Sequence, residues 1–263
     1  MKLNKSAGKN SERNRGAESN SSSGEPQLLR LNRFIANSGV CSRREADVLI
    51  REGFITVNGK KVTDLWTRVT YNDDIRYKNK RLQAEKKIYI LMNKPKDYVT
   101  TVEDPHADHT VLELLGDRCP ERVYPVGRLD KATTGVLLLT NDGDLTGKLT
   151  HPKFKRKKIY HVFLDKPVTR SDLMRIAGGI ELEGDLIVAD AVSYADNEDK
   201  SQIGIELHSG QNRVIRRMFK SLGYKVKKLD RVYFAGLTKK NLSRGRWRFL
   251  TEKEISMLKR GIF

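Results

Sequence analysis

Cysteine and long apolar runs are both scarce in this sequence. The chain has 263 residues and two cysteines, Cys41 and Cys119, which argues against a disulfide framework and favours reduced thiols in a cytosol. No apolar run approaches the length of a membrane-spanning helix. The first 27 residues are polar and lack the apolar core of a signal peptide. These absences favour a cytoplasmic protein without a membrane partner.

Positive charge, by contrast, is abundant. The chain carries 51 Lys and Arg residues against 33 Asp and Glu, for a net charge of +18. Such an excess favours a polyanionic partner. A membrane surface would attract the same charge, but nucleic acid is the leading expectation. The length allows one large domain, or a large and a small one.

Composition divides the chain into three parts. After Leu3 no large aliphatic or aromatic residue occurs until Leu28. Residues 1–27 are therefore expected to be a disordered basic tail, which either contacts RNA phosphates or serves as a solubilising segment. Residues 28–87 are expected to form a small module with its linker, and residues 88–263 a second, larger domain.

The small module carries strong local patterns. Apolar residues on one helical face predict a first helix that is closed by Gly39. The stretch "SRRE", which begins at Ser42, is a capping box that starts a second helix. The stretch "FITVNGKKV" predicts two strands joined by a turn at Asn58 and Gly59. The polar segment 77–87 is expected to be a linker.

Two arginines begin the second helix. Arg43 and Arg44 fall in its first turn, where the helix macrodipole disfavours cations. Their placement indicates either a phosphate site, made by guanidiniums and free amides, or a solvated basic face. Residues 30–75 resemble the S-four type RNA-binding module named after a small-subunit ribosomal protein, which implies RNA binding but no particular activity. The module residues expected to contact RNA are Arg33, Arg43, Arg44 and Lys60.

From residue 88 the pattern changes to strands and capped helices. The stretch "IYILMNKP" predicts a strand ended by Pro95, and Thr169 with Asp172 and Thr251 with Glu254 each predict a capping box at the start of a helix. Alternating apolar residues over 203–207 predict a half-buried strand. Because hairpins and helices mix without regular strand–helix repetition, the expected fold class is α+β. It comprises a small N-terminal α/β module, then a domain with a largely antiparallel mixed sheet and flanking helices.

The stretch "NRVIRRMFKSLG", residues 212–223, predicts an amphipathic helix that ends at Gly223. Cations occupy one stripe of this helix, where they repel one another, so an anionic counterpart is expected: a phosphate or a carboxylate. A solvated charged face is the alternative. The cations of this stripe are Arg213, Arg216, Arg217 and Lys220.

The stretch "VYPVGRLDKATTGVLLLTNDG" places Asp130 between two apolar strands. A carboxylate in such a place is either neutral or kept ionised by a cation. With Arg128 and the basic helix available, an ionised Asp130 is expected, and such a carboxylate is a competent nucleophile. The alternative is a turn aspartate paired with Lys131.

Four stretches occur in a characteristic order: "NKP", "GRLD" followed by "TTGVLLLTNDGDL", "KKIYHV", and "NRVIRRMF". They resemble the pseudouridine synthases of the RsuA/RluB/RluF branch, which carry an S-four module ahead of the catalytic domain. The resemblance covers about residues 30–260. Asp97 stands where these proteins commonly have Gly, but Asp tolerates the left-handed conformation. Gln211 and Val214 also depart from the frequent Arg and Gln, which puts local RNA contacts in doubt.

The resemblance implies a role for each of four residues. Asp130 corresponds to the aspartate that attacks the target nucleotide, and Tyr160 to the tyrosine that stacks on the uracil. Arg216 corresponds to the arginine that pairs with the aspartate, and Arg128 to the one that supports the place vacated by the flipped nucleotide. The glycosidic bond breaks, the base turns, and its carbon 5 joins the sugar, so neither cofactor nor metal is expected. Of the basic helix, Arg213, Arg217 and Lys220 are expected to contact RNA.

The implied function is conversion of uridine to pseudouridine in ribosomal RNA by a monomeric enzyme. Large-subunit (23S) RNA is preferred, because "YKVKKLDRVYFAGLTKKNLSRGRWRFLT" looks more like the large-subunit members. The alternatives are small-subunit (16S) RNA and a non-catalytic RNA-binding assembly factor. A nuclease fits less well, because no carboxylate cluster suited to Mg²⁺ is evident. A metal site is not expected at the loop that carries Asp104, His106, Asp108 and His109, which lacks Cys.

Overall fold

The computed structural model describes residues 28–102 and 108–263. The predicted tail, residues 1–27, lies outside the described residues, and so do Asp104 and His106. Within the described ranges, no helix combines the length and the apolar character that a membrane crossing requires.

The first unit has two helices and six short strands. In chain order they are β1 (Leu29–Arg30), α1 (Leu31–Asn37), α2 (Arg43–Arg51), β2 (Ile55–Val57), β3 (Lys60–Val62), β4 (Arg68–Val69), β5 (Ile75–Tyr77) and β6 (Lys80–Arg81). Strand β1 pairs with β4, and the other four form an antiparallel sheet in the order β3-β2-β5-β6. Both helices and this sheet enclose one hydrophobic core.

Local chemistry explains the elements of this unit. The Ser42 hydroxyl accepts from the Glu45 amide at 3.2 Å, and the Glu45 carboxylate accepts from the Ser42 amide at 2.5 Å. The predicted capping box is therefore present at the start of α2. Asn58 and Gly59 have φ of 51° and 80°, as a two-residue turn between β2 and β3 requires. The predicted hairpin is confirmed.

The prediction of a linker from residue 77 was wrong at its start. Tyr77 ends β5, and Lys78 and Asn79, with φ of 48° and 65°, form the turn to β6. The Leu82 side chain is buried, and its amide donates to the Ile75 carbonyl at 2.8 Å. The polar residues here belong to an exposed hairpin, whose pattern resembles that of a linker because few of its side chains are buried.

The described part of the second unit contains eleven strands and four helices. It begins with β7 (Tyr89–Lys94), β8 (Tyr124–Pro125), β9 (Thr133–Thr140), α3 (Gly143–Thr150), β10 (Lys158–Leu164), α4 (Arg170–Gly178), β11 (Ile180–Leu182) and β12 (Asp185–Ile187). It continues with β13 (Ala191–Tyr194), β14 (Gln202–Leu207), α5 (Val214–Ser221), β15 (Val226–Phe234), β16 (Leu237–Thr238), β17 (Trp247–Phe249) and α6 (Glu252–Arg260). Two 3₁₀ turns span Gly116–Arg118 and Pro152–Phe154.

Most of these strands form one nine-stranded sheet in the order β13-β14-β10-β15-β9-β7-β17, with β8 beside β9 and β16 beside β15. Among its described pairs, β9 and β15 run parallel and the others antiparallel. Gly135 allows β9 and β15 to approach, because a Cβ there would lie 2.1 Å from the Arg231 carbonyl oxygen. The expected α+β class with a largely antiparallel mixed sheet is confirmed.

Helices cover the sheet and leave its central strands buried. Helices α4 and α5 pack with β10 and β14 in one hydrophobic cluster, whereas α3 and α6 pack with β7 and β9 in another. The other face of β7 and β9 lies in a third cluster, which includes Val111, Leu115 and Trp247. Burial on both faces explains why β9 is a continuous apolar run rather than an alternating one.

Side chains and backbone also join the two units. Arg33 of α1 pairs with Asp144 of α3, and Arg122 lies 3.3 Å from the Glu45 carboxylate of α2. The side-chain amide of Asn141, which follows β9, donates to the Lys86 carbonyl at 2.9 Å. These contacts bring the helix pair of the first unit alongside α3.

Candidate active site

Asp130 lies in the loop between β8 and β9. Gly127 enters this loop with a left-handed φ of 74°. The buried Leu129 anchors the loop, because the Thr100 hydroxyl donates to the Leu129 carbonyl at 2.7 Å and accepts from its amide at 3.0 Å. The Asp130 carbonyl accepts from the Thr133 amide at 2.9 Å. The backbone around Asp130 is therefore fixed on both sides, while its side chain is 35% exposed.

Lys94, the last residue of β7, forms hydrogen bonds to the backbone of the same loop. Its side chain is fully buried, and Nζ lies 2.9–3.3 Å from four backbone carbonyls, including those of Asp130, Lys131 and Thr133. Burial lowers the pKa of Lys94 to about 8, although the nearby Asp130 opposes that change. Asp97 adds a further contact by donating its amide to the Lys131 carbonyl at 2.9 Å, with a left-handed φ of 71°.

Arg216 of α5 faces the Asp130 carboxylate. Its Nε is 4.0 Å from Oδ2 of Asp130, and its Nη1 donates to the Val226 carbonyl at 3.1 Å. Nε and Nη2 of Arg216 are buried and form no hydrogen bond with the described residues. Burial lowers the pKa of Arg216, and Asp130 opposes that shift. The predicted proximity of the two side chains is therefore present, with donor capacity left for a bound nucleotide.

Tyr160 stands on β10 directly opposite Arg231 of β15. Arg231 is 2% exposed, and its Nε donates to the Val136 carbonyl at 2.8 Å. Burial lowers the pKa of Arg231, whereas its interaction with the Tyr160 hydroxyl raises it. Nη2 of Arg231 forms no hydrogen bond with the described residues. The buried guanidinium of Arg231 therefore lies near the Tyr160 side chain.

One cavity, of about 220 Å³, is lined by several of these side chains. Its walls include Arg128, Asp130, Tyr160 and Arg231, with Ile215 from the start of α5. Charged and aromatic groups thus share a small enclosure, which is the arrangement expected for a polar, flat ligand such as a base.

Lys158 forms part of the same wall. Its Nζ donates to the His208 carbonyl at 2.8 Å, and burial lowers its pKa to about 8. The roles of Lys94, Lys158 and Arg231 were missed at the sequence level. The available indication was a cation inside or at the end of an otherwise apolar strand, since burial of a charge requires a specific reason.

The basic helix α5 is shorter than predicted at its N-terminus. Arg213 precedes the helix with a left-handed φ of 46°, so it lies outside the helical stripe that was predicted and lines the cavity. Arg217 pairs with Glu183 at 3.1 Å, which supplies a carboxylate as its anionic counterpart. Lys220 is exposed. The cations of this segment therefore do not share one anionic counterpart.

The predicted RNA contacts of the first unit lie on its surface. Arg43 and Arg44 are exposed in the first turn of α2, and Lys60 is exposed at the start of β3. Arg33 is instead half-buried and paired with Asp144. The expectation of free amides at this turn was wrong in part, because the Ser42 hydroxyl already accepts from the Glu45 amide.

Neither the acidic and histidine-containing loop nor the cysteines provide a metal site among the described residues. Asp108 contacts Lys131 at 3.0 Å, and His109 contacts Glu113 at 3.0 Å. Among the described residues, no group of three or more His, Cys, Asp or Glu side chains is placed to hold a metal ion. Cys41 and Cys119 are free thiols whose pKa values are raised, chiefly by burial.

Comparison with known proteins adds to this geometry. The family model described as RNA pseudouridylate synthase matches residues 88–221, and the S4 domain model matches residues 29–75. The chain is 39% identical over 236 residues to the ribosomal large subunit pseudouridine synthase B of Bacillus subtilis (strain 168), covering 88% of this chain and 96% of that protein.

Two further comparisons cover most of the chain. The dual-specificity RNA pseudouridine synthase RluF of Escherichia coli (strain K12) is 35% identical over 230 residues, covering 86% of this chain and 77% of that protein. A crystal structure of a pseudouridylate synthase superposes with a TM-score of 0.63 at 29% identity, covering 88% of this chain and 99% of that one.

Proposed function

The chain belongs to the RNA pseudouridylate synthase family and is an RNA pseudouridine synthase, and we propose that it isomerises uridine in ribosomal RNA with Asp130 as nucleophile. The observation that best supports this proposal is that the Asp130 carboxylate lies 4.0 Å from Nε of Arg216. The cavity that Asp130 lines is also lined by Tyr160. We propose residues 28–87 as the RNA-binding module with its linker, and 88–263 as the catalytic domain.

Asp130 supplies the negative charge that the reaction requires. Arg216 is close enough to stabilise the ionised carboxylate, and its buried unpaired N–H groups favour an anion nearby. The loop backbone is held by Thr100 and Lys94, so the carboxylate meets the target nucleotide in a preset position. Attack by Asp130 on this nucleotide begins the isomerisation. The bond that Asp130 forms breaks again before the product leaves, and the proton that carbon 5 loses is matched by the one that N1 of the base gains, so the enzyme is regenerated unchanged.

In this proposal Tyr160 stacks on the flipped base, and Arg128 supports the position in the RNA that the base has left. A uridine inside folded RNA must leave its stack before a side chain can reach it. The Tyr160 ring then stacks on the uracil while the glycosidic bond breaks, the base turns and carbon 5 bonds to the sugar. Arg128 lines the same cavity and supports the gap that the flipped nucleotide leaves. Every group named comes from one chain, which fits a monomeric enzyme.

Large-subunit RNA is the preferred substrate class. The Bacillus subtilis relative is named for the ribosomal large subunit, whereas the Escherichia coli relative is named as having dual specificity. We therefore propose 23S ribosomal RNA in the cytoplasm as the substrate, with 16S ribosomal RNA as the second candidate. The relatives' names favour both over a purely structural role in ribosome assembly.

The proposal is tested by incubating the protein with 23S and 16S transcripts and mapping pseudouridine in each. We expect new pseudouridine at defined positions of the 23S transcript, and its formation should persist in EDTA. Pseudouridine in 16S alone would reverse the substrate assignment. Binding of both transcripts without any modification would indicate an assembly factor, and EDTA-sensitive cleavage would indicate a nuclease.

A further inference from the structure

A second cavity, of about 570 Å³, lies between the two units. One wall comes from α1 and the residues that begin α2, including Arg33 and Arg43. The opposite wall comes from α3 and the 3₁₀ turn Pro152–Phe154. We call this cavity the interdomain groove. It is separate from the cavity that contains Asp130.

The interdomain groove is lined by cations that the protein does not neutralise. Arg33 is paired with Asp144, and that contact ties the two walls together. In contrast, Arg43, Lys148 and Lys153 line the groove and form no ion pair with any described carboxylate. An unneutralised cluster of this kind attracts a polyanion.

Phe154 gives the groove an aromatic surface. This residue is 37% exposed although it is large and apolar. Lys153 Nζ lies 4.8 Å and the Arg156 guanidinium 5.3 Å from the ring centroid, and His151 lies edge-on at 6.2 Å. Aromatic rings set among cations bind single-stranded nucleic acid, since bases stack on the ring while the cations contact phosphates.

Helix α3 forms a wall of both the interdomain groove and the cavity of Asp130, and it leaves open space in the groove. Gly147 lines the groove, and a Cβ at this position would meet no atom within 4 Å. Two and three residues further along, Leu149 and Thr150 line the cavity of Asp130 instead. The two cavities are therefore separated by one helix, a distance of about 10 Å.

From these observations we propose that the interdomain groove binds a single-stranded nucleotide of the same RNA that carries the target uridine. Its base stacks on Phe154, and its phosphates contact Arg43, Lys148 and Lys153. This inference rests on the proposed function for the identity of the RNA. It gives the S4 unit a part in positioning the strand next to the target, because both units contribute to the groove.

Filling the groove tests this proposal. Gly147→Leu places a side chain in open space and replaces a poor helix former by a good one, so the fold should be kept. The matched control is Gly178→Leu, because Gly178 is also helical and exposed, and a Cβ there would meet no atom within 4 Å. We expect Gly147→Leu to raise both the Kd and the KM for the transcript that the enzyme modifies by roughly fivefold or more. Gly178→Leu should match the wild type.

The aromatic surface provides the second pair of variants. Phe154→Leu should weaken binding of the same transcript by roughly fivefold or more, while Phe154→Tyr retains it. The control is Phe249→Leu, which removes a ring from β17 at a residue that is 48% exposed. Wild-type Kd and KM in both Gly147→Leu and Phe154→Leu would overturn the inference, as would equal losses in the two controls. Failure of the proposed function would appear separately, as absence of pseudouridine in wild-type reactions.

Discussion

Lys94, Lys158 and Arg231 bring positive charge into the active-site region without a carboxylate partner of their own. Their charged groups donate to backbone carbonyls, for example those of Thr133, His208 and Val136. Such carbonyls satisfy the donors but leave the charge uncancelled. The resulting positive potential would attract the phosphates of a bound RNA.

Tyr160 provides the first prediction at the residue scale. If its ring stacks on the uracil, Tyr160→Phe retains the aromatic face and loses the hydroxyl near Arg231, whereas Tyr160→Leu loses the face itself. We expect Tyr160→Leu to form pseudouridine about 5- to 100-fold more slowly than Tyr160→Phe. Single-turnover rates on the transcript that the wild type modifies measure the difference. Equal rates in the two variants would rule out stacking as the role of Tyr160.

Lys94 provides a prediction about pH. Burial lowers its pKa from 10.5 to about 8, so between these values the unfolded chain keeps a proton that the folded protein has lost. Stability rises with pH wherever the unfolded state binds more protons. The free energy of unfolding of the wild type, relative to that of Lys94→Met, should therefore increase from pH 8 to 10, by at most about 3 kcal/mol.

Urea unfolding of both proteins at a series of pH values measures this difference. Comparing the variant with the wild type cancels the groups that titrate identically in both. A difference that stays constant or falls over the same interval would show that folding does not lower the pKa of Lys94.

At the scale of elements, the loop between β8 and β9 is positioned by the sheet around it. Strand β9 pairs with β7 on one side and with β15 on the other. The first of these strands carries Lys94 and the second carries Arg231, while α5 contributes Arg216. Side chains of β7, β15 and α5 therefore lie near the N-terminal end of β9, next to the loop that carries Asp130. Gly135 allows the close approach of β15.

Local patterns predicted much of this arrangement. The capping boxes at Ser42 and Thr251, the Asn58-Gly59 turn and the alternating strand over 203–207 all depend on neighbouring residues, and all are present. The proximity of Arg216 to Asp130 follows from the charges that surround an aspartate between apolar strands, and from the family resemblance.

Other features depend on contacts between distant residues, and the sequence alone did not reveal them. Lys94 is 36 residues from Asp130 in the chain, yet it donates to the Asp130 carbonyl. The Glu183 carboxylate that pairs with Arg217 comes from the turn between β11 and β12. The hairpin at 77–81 has the composition of a linker because its side chains are mostly exposed and polar. The hydrophobic periodicity of a sequence shows which side chains of an element are buried. Contacts between residues that are far apart in the chain produce no such periodic pattern.

At the scale of the whole molecule, we expect the first unit to contribute mainly to RNA binding and the second to the reaction. Arg43 and Arg44 are exposed on α2 and are expected to bind phosphates. Changing both to Gln should weaken RNA binding and make the dependence of log K on log salt shallower by about 1 to 2, because fewer counterions are displaced. The rate at saturating RNA should largely recover.

Arg216→Gln is the matched comparison for this division. The Asp130 carboxylate then loses its nearest cation, so the rate defect should persist at saturating RNA. Binding titrations at several salt concentrations, together with kcat at saturation, separate the two effects. An unrescued rate defect in the double variant, with normal binding and salt slope, would contradict the division.

Asp130→Asn is the decisive variant for the assignment of the nucleophile. This change keeps the size and hydrogen-bonding capacity of the side chain but removes its nucleophilic charge. The measurement is pseudouridine formed per enzyme on the transcript that the wild type modifies, alongside the Kd for the same RNA. We expect pseudouridine formation to disappear while RNA binding and the melting temperature stay at wild-type values. Near-normal pseudouridine formation by Asp130→Asn would contradict the assignment of Asp130 as the nucleophile.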